Sequence, residues 1–517
     1  MGEPLTVRDL NLLSSWYADW HGLRVGVLGL GVTGFAAADT LVELGATVLV
    51  VTATAPAVQA DLLSAIGAEL LEQVQLETAP DRLVEFDPEL VVVSPGFHPD
   101  HPLLLWAEER GIPVWGDIEL AWRLRDKVAP PAEWLCVTGT NGKTTTVQLA
   151  THALLTAGHR TVAVGNIGTP VLDAIREPAG FDVLVVELSS YQLHWVKRTG
   201  IGAIEPFASV CLNIADDHLD WHGSAPAYRA AKATIYWNTR VACVYNREDD
   251  ATREMVEEAE VREGCRAIGF GLGVPGPGDF GIVGDIVLDR AFMDDRHRSA
   301  LELTTYSELE TAGLAAPHLM ADVLAASALV RAFGVQPETI RAALATFRID
   351  RHRAERVADH GGVLWMNDSK ATNPHAADAA LRSHDSVVWI VGGLLKDVDI
   401  VELVSRNAAR LRAAVVIGKD REVLLAAFER HAPETQLFEV VTADTNEVMP
   451  EAVRLAAAVA EAGDVVLLAP AAASMDQFAD YADRGSRFAL AVTQFLGGAP
   501  DGHSEDSRHP DEAPGTG

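Results

Sequence analysis

Basic residues are scarce in this chain: 41 Lys and Arg stand against 73 Asp and Glu, a formal charge of −32. That balance argues against nonspecific binding to nucleic acid or to an anionic membrane, and an anionic substrate then needs locally placed basic side chains. Cysteine is scarce too. Cys136, Cys211, Cys243 and Cys265 show no CxxC spacing and read as buried thiols of a reducing compartment. No apolar run is long enough to span a bilayer. The polar start, with Glu3, Arg8 and Asp9, lacks a signal-peptide pattern. A cytoplasmic location without membrane insertion is expected, and a monomer is the expected state. No period marks a repeat architecture.

The composition supplies ample core for several domains: 517 residues, 48% of them hydrophobic. Apolar runs at 24–28, 47–51, 90–93 and 112–115 read as strands of a first α/β domain, residues 1–127. The segment 126–133, with Pro130 and Pro131, reads as a linker. Strands at 134–137, 161–164, 183–187, 209–212 and 241–245 belong to a second domain, residues 128–347, in which the Gly-rich 269–284 is a loop or hairpin region. Strands at 363–366, 387–391, 414–417 and 465–469 build a third domain, residues 348–498. Residues 499–517 read as a disordered tail. Three consecutive α/β domains with largely parallel sheets are expected.

The richest motif is Thr138-Gly139-Thr140-Asn141-Gly142-Lys143-Thr144-Thr145-Thr146, directly after the run Trp134–Val137. A strand, a glycine turn and a helix opened by Lys and Thr form a cradle for phosphates. Backbone N–H groups point inward, Lys143 adds charge near the terminal phosphates, and the Thr144 hydroxyl can ligate Mg²⁺. The strict pattern wants glycine at Val137, so the turn is one glycine short.

Other loops follow strands. Gly29-Leu30-Gly31-Val32-Thr33-Gly34 is a GxGxxG turn, but Thr52 stands where a ribose-binding acid would be, so NAD binding is not supported. The turn holds either another nucleotide's diphosphate or only a tight helix–strand contact. Glu187 ends a strand, where Mg²⁺-nucleotide chemistry is expected, although solvated strand-end glutamates are common. Asp216-Asp217-His218-Leu219-Asp220 is a metal-ligand loop or a helix-capping loop. Lys232, by pattern alone, is a surface lysine on a helix. In the third domain, Asn367–Pro374, Gly392–Lys396 and Ala469–Phe478 are polar loops at strand ends, and these gather on one edge of an open parallel sheet. Lys396 and Ser474 are candidates to converge there on a small anion.

Together these loops resemble the Mur ligase family, ATP-dependent amide ligases of peptidoglycan precursor synthesis. The resemblance covers nearly the whole chain outside its two ends. Thr138–Thr144 resembles the family's shortened ATP loop. Asn166-Ile167-Gly168, Glu187–Ser190 and Asp217–Asp220 match central-domain motifs, and Gly116–Leu120 a first-domain one. Asn367–Asn373 and Pro470–Phe478 are similar to the third domain of the D-glutamate-adding members. The DNPR signature of the members that add diamino acids is absent.

The resemblance implies a Rossmann-like first domain, a P-loop ATPase-like central domain and a Rossmann-like third domain. It implies a ligase that joins D-glutamate to UDP-N-acetylmuramoyl-L-alanine through an acyl phosphate, using ATP and two Mg²⁺ ions. Carried over, Gly139, Thr140, Asn141, Gly142, Lys143, Thr144 and Thr145 bind ATP, with Asp368 on its ribose and Arg353 on its phosphates. Thr144 and Glu187 hold one Mg²⁺. His218 and a carbamylated Lys232 hold the other. Thr372, Lys396, Ser474 and Tyr481 match D-glutamate positions, Tyr481 standing where the family often has Phe. Val32, Thr33, Asn166 and His218 match contacts to the uridylated substrate. The chain departs from the family at His318-Leu319-Met320-Ala321-Asp322, where the usual pattern is His-Asn-x-x-Asn, at Thr52-Ala53-Thr54 and at Ala215. Two alternatives stay open: a relative adding another amino acid, or glutamates to folate, and a nucleotide-binding relative without turnover.

Overall fold

The computed structural model describes residues 8–72, 80–395, 399–442 and 444–497. Three sheets with flanking helices make the chain α/β, as the sequence implies. It divides into two compact units, Met1–Arg348 and Ile349–Gly517.

The first unit holds two sheets. Strands β1 (Arg24–Leu28), β2 (Thr47–Thr52), β3 (Glu69–Glu72), β4 (Leu90–Val93) and β5 (Val114–Gly116) pair in the order β3-β2-β1-β4-β5, all parallel. β1 and β4 are almost continuous Val and Leu because helices cover both faces. The strand order reverses beside β1, so the turn at Gly29 opens at the switch point of the sheet.

The second sheet contains β6 (Glu133–Thr138), β7 (Thr161–Gly165), β8 (Val183–Glu187), β9 (Ala208–Cys211), β10 (Ala242–Asn246), β11 (Arg266–Phe270), β12 (Asp279–Val283), β13 (Ile286–Asp289) and β14 (Leu301–Thr305). Its order is β14-β13-β12-β11-β10-β9-β6-β8-β7. β6 lies between β8 and β9, both parallel to it, so the loops that follow these three strands share one edge. β13 runs against the others, pairing antiparallel with β12 and β14, while β12 stays parallel to β11.

The second unit is one sheet: β15 (Glu355–His360), β16 (Val363–Asn367), β17 (Val387–Gly392), β18 (Leu411–Ile417), β19 (Gln436–Glu439) and β20 (Val465–Leu468). The order is β15-β16-β20-β17-β18-β19, parallel except for β15. β20 sits between β16 and β17, which again aligns three C-terminal loops.

Apart from β11, the strands that the sequence misses are edge or antiparallel-paired ones. β3 and β19 are four-residue edge strands, half-exposed and carrying Glu. β11 to β14 surround the Gly-rich 269–284, where apolar periodicity is broken; part of that loop or hairpin region is β12. Cys136, Cys211 and Cys243 are buried free thiols as expected, whereas Cys265 is only half-buried. The tail 499–517 lies outside the described residues. Among the described residues, no helix is long and apolar enough to cross a membrane.

The antiparallel extension is pinned to the helix Pro317–Ala332 by a buried ion pair. Arg331 Nε donates to Asp289 Oδ2 at 2.8 Å, and Asp289 Oδ1 accepts the N–H groups of Ala291 and Phe292. Removing one partner strands a buried charge, which typically costs about 3–5 kcal/mol. Asp289→Ala is therefore expected to lower the unfolding free energy of the first unit, read from urea denaturation, by that order; a change under about 1 kcal/mol would contradict the pinning role.

Candidate active site

The turn after β6 is built from two glycines in backbone conformations that side chains rarely adopt. Gly139 has φ 147° and Gly142, which caps the helix Lys143–Thr156, has φ 83°. A Cβ on Gly142 would lie 2.2 Å from Asp322 Oδ1, so the helix Pro317–Ala332 presses directly on the turn. The loop after β9 fixes the rest. Asn213 O accepts the Thr140 N–H at 2.9 Å, and Asn213 Oδ1 accepts the Asn141 N–H at 2.8 Å. The Thr140 hydroxyl accepts the Ala215 N–H and shares a 2.9 Å bond with the Tyr228 hydroxyl. Ala215 thus serves through its backbone, which explains why losing the usual hydroxyl leaves the loop intact. Thr144 and Thr145 are buried at the helix start.

Two lysines converge on this turn. Lys143 Nζ donates to Gly139 O and Thr140 O, both at 2.8 Å. Lys232 Nζ donates to Gly139 O at 2.9 Å and sits 3.4 Å from Thr138 Oγ1. The reading of Lys232 as a surface lysine is wrong: it is 2% exposed. Helix periodicity alone does not reveal that its helix, Ala225–Ala233, leans over the phosphate loop. Burial, reinforced by the Lys143 ammonium, pushes its pKa down to about 7.

Glu187 is 1% exposed, not a solvated strand end. Its Oε1 accepts a 2.9 Å bond from Asn166 Nδ2, and its Oε2 is buried without a hydrogen-bond partner. A buried carboxylate oxygen of that kind calls for a cation. His218 adopts φ 52°, and its Nδ1 lies 2.7 Å from the Tyr191 hydroxyl. Tyr191 packs on Trp221 and His222, and burial followed by the neighbouring His194 pushes the His222 imidazole down to about 4. Among the described residues no group of three or more His, Cys, Asp and Glu side chains is arranged for a metal ion. Val32 and Thr33 open the helix after β1, Val32 being 66% exposed, and belong to the other sheet. Thr52 is buried and bonds the carbonyl of Thr54.

In the second unit the loops after β16, β17, β18 and β20 interlock. Leu394 and Ala473 form a bridge, Ala471 N–H reaches Ala371 O, and Gly418 N–H reaches Gln477 Oε1. The loops that carry Thr372 and Ser474 meet in this knot, and the Ser369 hydroxyl reaches the start of the helix opened by Tyr481. Ser369 Oγ bonds Tyr481 O, and Lys370 Nζ lies 3.9 Å from the Tyr481 ring centroid. Asp368 Oδ1 accepts the Ala354 N–H, next to Arg353. Burial raises the Asp368 pKa to about 6 against the lowering effect of that bond. Lys396 lies outside the described residues. Sequence reasoning missed Arg484. It is fully buried under the knot and donates to Ser369 Oγ, Ser369 O and Ala472 O. A lone arginine in an amphipathic helix carries no signal of that role.

Comparison with known proteins bears on this arrangement. The chain matches the family models described as the Mur ligase MurD-like N-terminal domain over residues 23–116, the Mur ligase middle domain over 137–307, and the Mur ligase glutamate ligase domain over 352–472. It is 65% identical to the UDP-N-acetylmuramoylalanine--D-glutamate ligase of Leifsonia xyli subsp. xyli, over 96% of this chain and 98% of the relative. It is 50% identical to the ligase of the same name from Streptomyces avermitilis, over 92% and 98%. Among solved structures, the UDP-N-acetylmuramate-alanine ligase MurC of Thermotoga maritima shares the fold. Its TM-score is 0.54 at 17% identity, over 92% of this chain and all of that one. With three family models and these relatives spanning nearly its whole length, the chain belongs to the Mur ligase family.

Proposed function

We propose that this chain joins D-glutamate to UDP-N-acetylmuramoyl-L-alanine in peptidoglycan precursor synthesis, converting ATP to ADP and phosphate, as a cytoplasmic monomer. Relatives of 65% and 50% identity carry that activity in their names. The observation that carries the reading is the turn at Gly139–Thr145 with Lys143, Lys232 and the partnerless Glu187 oxygen gathered on it. We take residues 1–127 as the uridylate-binding domain, 128–347 as the ATP-binding domain and 348–498 as the amino-acid domain.

The L-alanine carboxylate oxygen of the acceptor attacks the γ-phosphorus of ATP, and ADP leaves. The D-glutamate amine then attacks the acyl carbon, loses a proton, and expels phosphate as the amide forms. Backbone N–H groups of Gly139–Thr145 cradle the phosphates, and Lys143 offsets charge on the transferring phosphoryl group. Thr144 and Glu187 would hold one Mg²⁺, and His218 with carbamylated Lys232 the other, supplying Lewis-acid charge to the phosphoryl and carboxylate oxygens. The buried Glu187 Oε2 fits a cation, and a carbamate turns Lys232 from a like charge beside Lys143 into an anionic ligand. Arg353 and Asp368 act on the nucleotide. Thr372, Lys396, Ser474 and Tyr481 hold D-glutamate, and Val32, Thr33 and Asn166 the uridylated substrate.

Phosphate release from ATP and UDP-N-acetylmuramoyl-L-alanine is expected with D-glutamate alone among a panel of amino acids. Release only with L-alanine or a diamino acid would overturn the substrate assignment. ATP binding without release would favour a nucleotide-binding relative, with Leu319 and Asp322 as its mark. Lys232→Ala is expected to lower kcat by about 10²–10³-fold, measured by the same assay at saturating Mg²⁺; near-wild-type turnover would refute the carbamate.

A further inference from the structure

His218 reaches the site from a strained backbone, φ 52° and ψ 32°, its own N–H held by Asp217 Oδ1 at 3.0 Å. A residue fixed so tightly still has two ring nitrogens, and only the one carrying a lone pair can bind a cation. The Tyr191 hydroxyl lies 2.7 Å from Nδ1. The tyrosine itself has little freedom. Its ring lies 4.7 Å from Trp221 and, nearly parallel, 5.9 Å from His222. Its short helix, Ser190–His194, is closed by a Ser189–Gln192 capping box, and the Gln192 amide is tied to Asp117 at 3.0 Å. On the other side of the imidazole, Asp217 Oδ2 stands 3.5 Å from Nε2, beyond good hydrogen-bond length.

We propose that Tyr191 is a positioning residue for His218: its phenol oxygen accepts the Nδ1 proton and so keeps the Nε2 lone pair, beside the Asp217 carboxylate, for a divalent cation. The proposal rests on His218 being a metal ligand, as inferred above. An oxygen that takes the second ring N–H of a metal-binding histidine fixes both tautomer and ring angle, and its loss typically weakens metal binding by about 10–100-fold. Tyrosine can accept that proton and phenylalanine cannot, while both rings stack alike on Trp221.

The test is Tyr191→Phe in the full-length enzyme. Nitrogen NMR of labelled histidine, with His218 assigned by His218→Asn, is expected to show a single Nδ1–H tautomer in the wild type and a mixture in Tyr191→Phe. Calorimetric titration of the ADP-bound enzyme with Mg²⁺ is expected to show about 10-fold or weaker binding in the variant, with an unchanged thermal midpoint. An Nε2–H tautomer in the wild type would overturn the proposal, and so would a variant with unaltered tautomer or Mg²⁺ affinity. Neither readout needs turnover, so a ligase of another amino acid would leave both intact while sinking the substrate assignment.

Discussion

Two ammonium groups meet at one carbonyl. Lys143 and Lys232 both donate to Gly139 O, at 2.8 and 2.9 Å. Like charges at that separation in a buried site repel strongly, and one of them has to yield or be countered. Lys232 is the deeper of the two, and burial beside Lys143 pushes its pKa down. Its neutral amine is the form that reacts with carbon dioxide to give a carbamate. Glu187, buried beside it with an oxygen lacking any partner, supplies the opposite half of the same imbalance. The two lysines and the buried carboxylate thus leave opposite imbalances side by side in the first unit.

Sheet topology is what makes the convergence possible. β6 between β8 and β9 brings the phosphate turn, Glu187 and the His218 loop to one edge. The same device recurs in the second unit, where β20 between β16 and β17 aligns the loops of Thr372 and Ser474. There the fixing charge is Arg484, whose guanidinium donates to the Ser369 hydroxyl and to the carbonyls of Ser369 and Ala472. In the second unit a buried cation thus lies beneath a knot of loops, in a chain whose net charge is strongly negative.

Much of this was legible in the residues. The central parallel strands are continuous Val, Leu and Ile runs and could be read almost residue by residue. β3 and β19 could not, because short edge strands keep polar residues on both faces. The phosphate turn was legible because its glycines, lysine and threonine sit at fixed spacings. Lys232 was not, since helix periodicity cannot tell which helix leans over a loop. Tyr191 and Arg484 were silent for a similar reason: each acts by touching a residue far away in sequence, His218 or Ser369. Ala215 departs from the family pattern, yet its role survives because the backbone N–H rather than a side chain bonds Thr140.

The central claim is that the crowding of Lys232 against Lys143 is resolved by converting Lys232 to a carbamate. The most direct measurement is carbon NMR of the enzyme equilibrated with isotopically labelled bicarbonate, with Lys232→Arg as the control. A single protein-bound carbamate signal, absent from the control, is the expected result. No such signal in the active enzyme, or one that persists in Lys232→Arg, would contradict it.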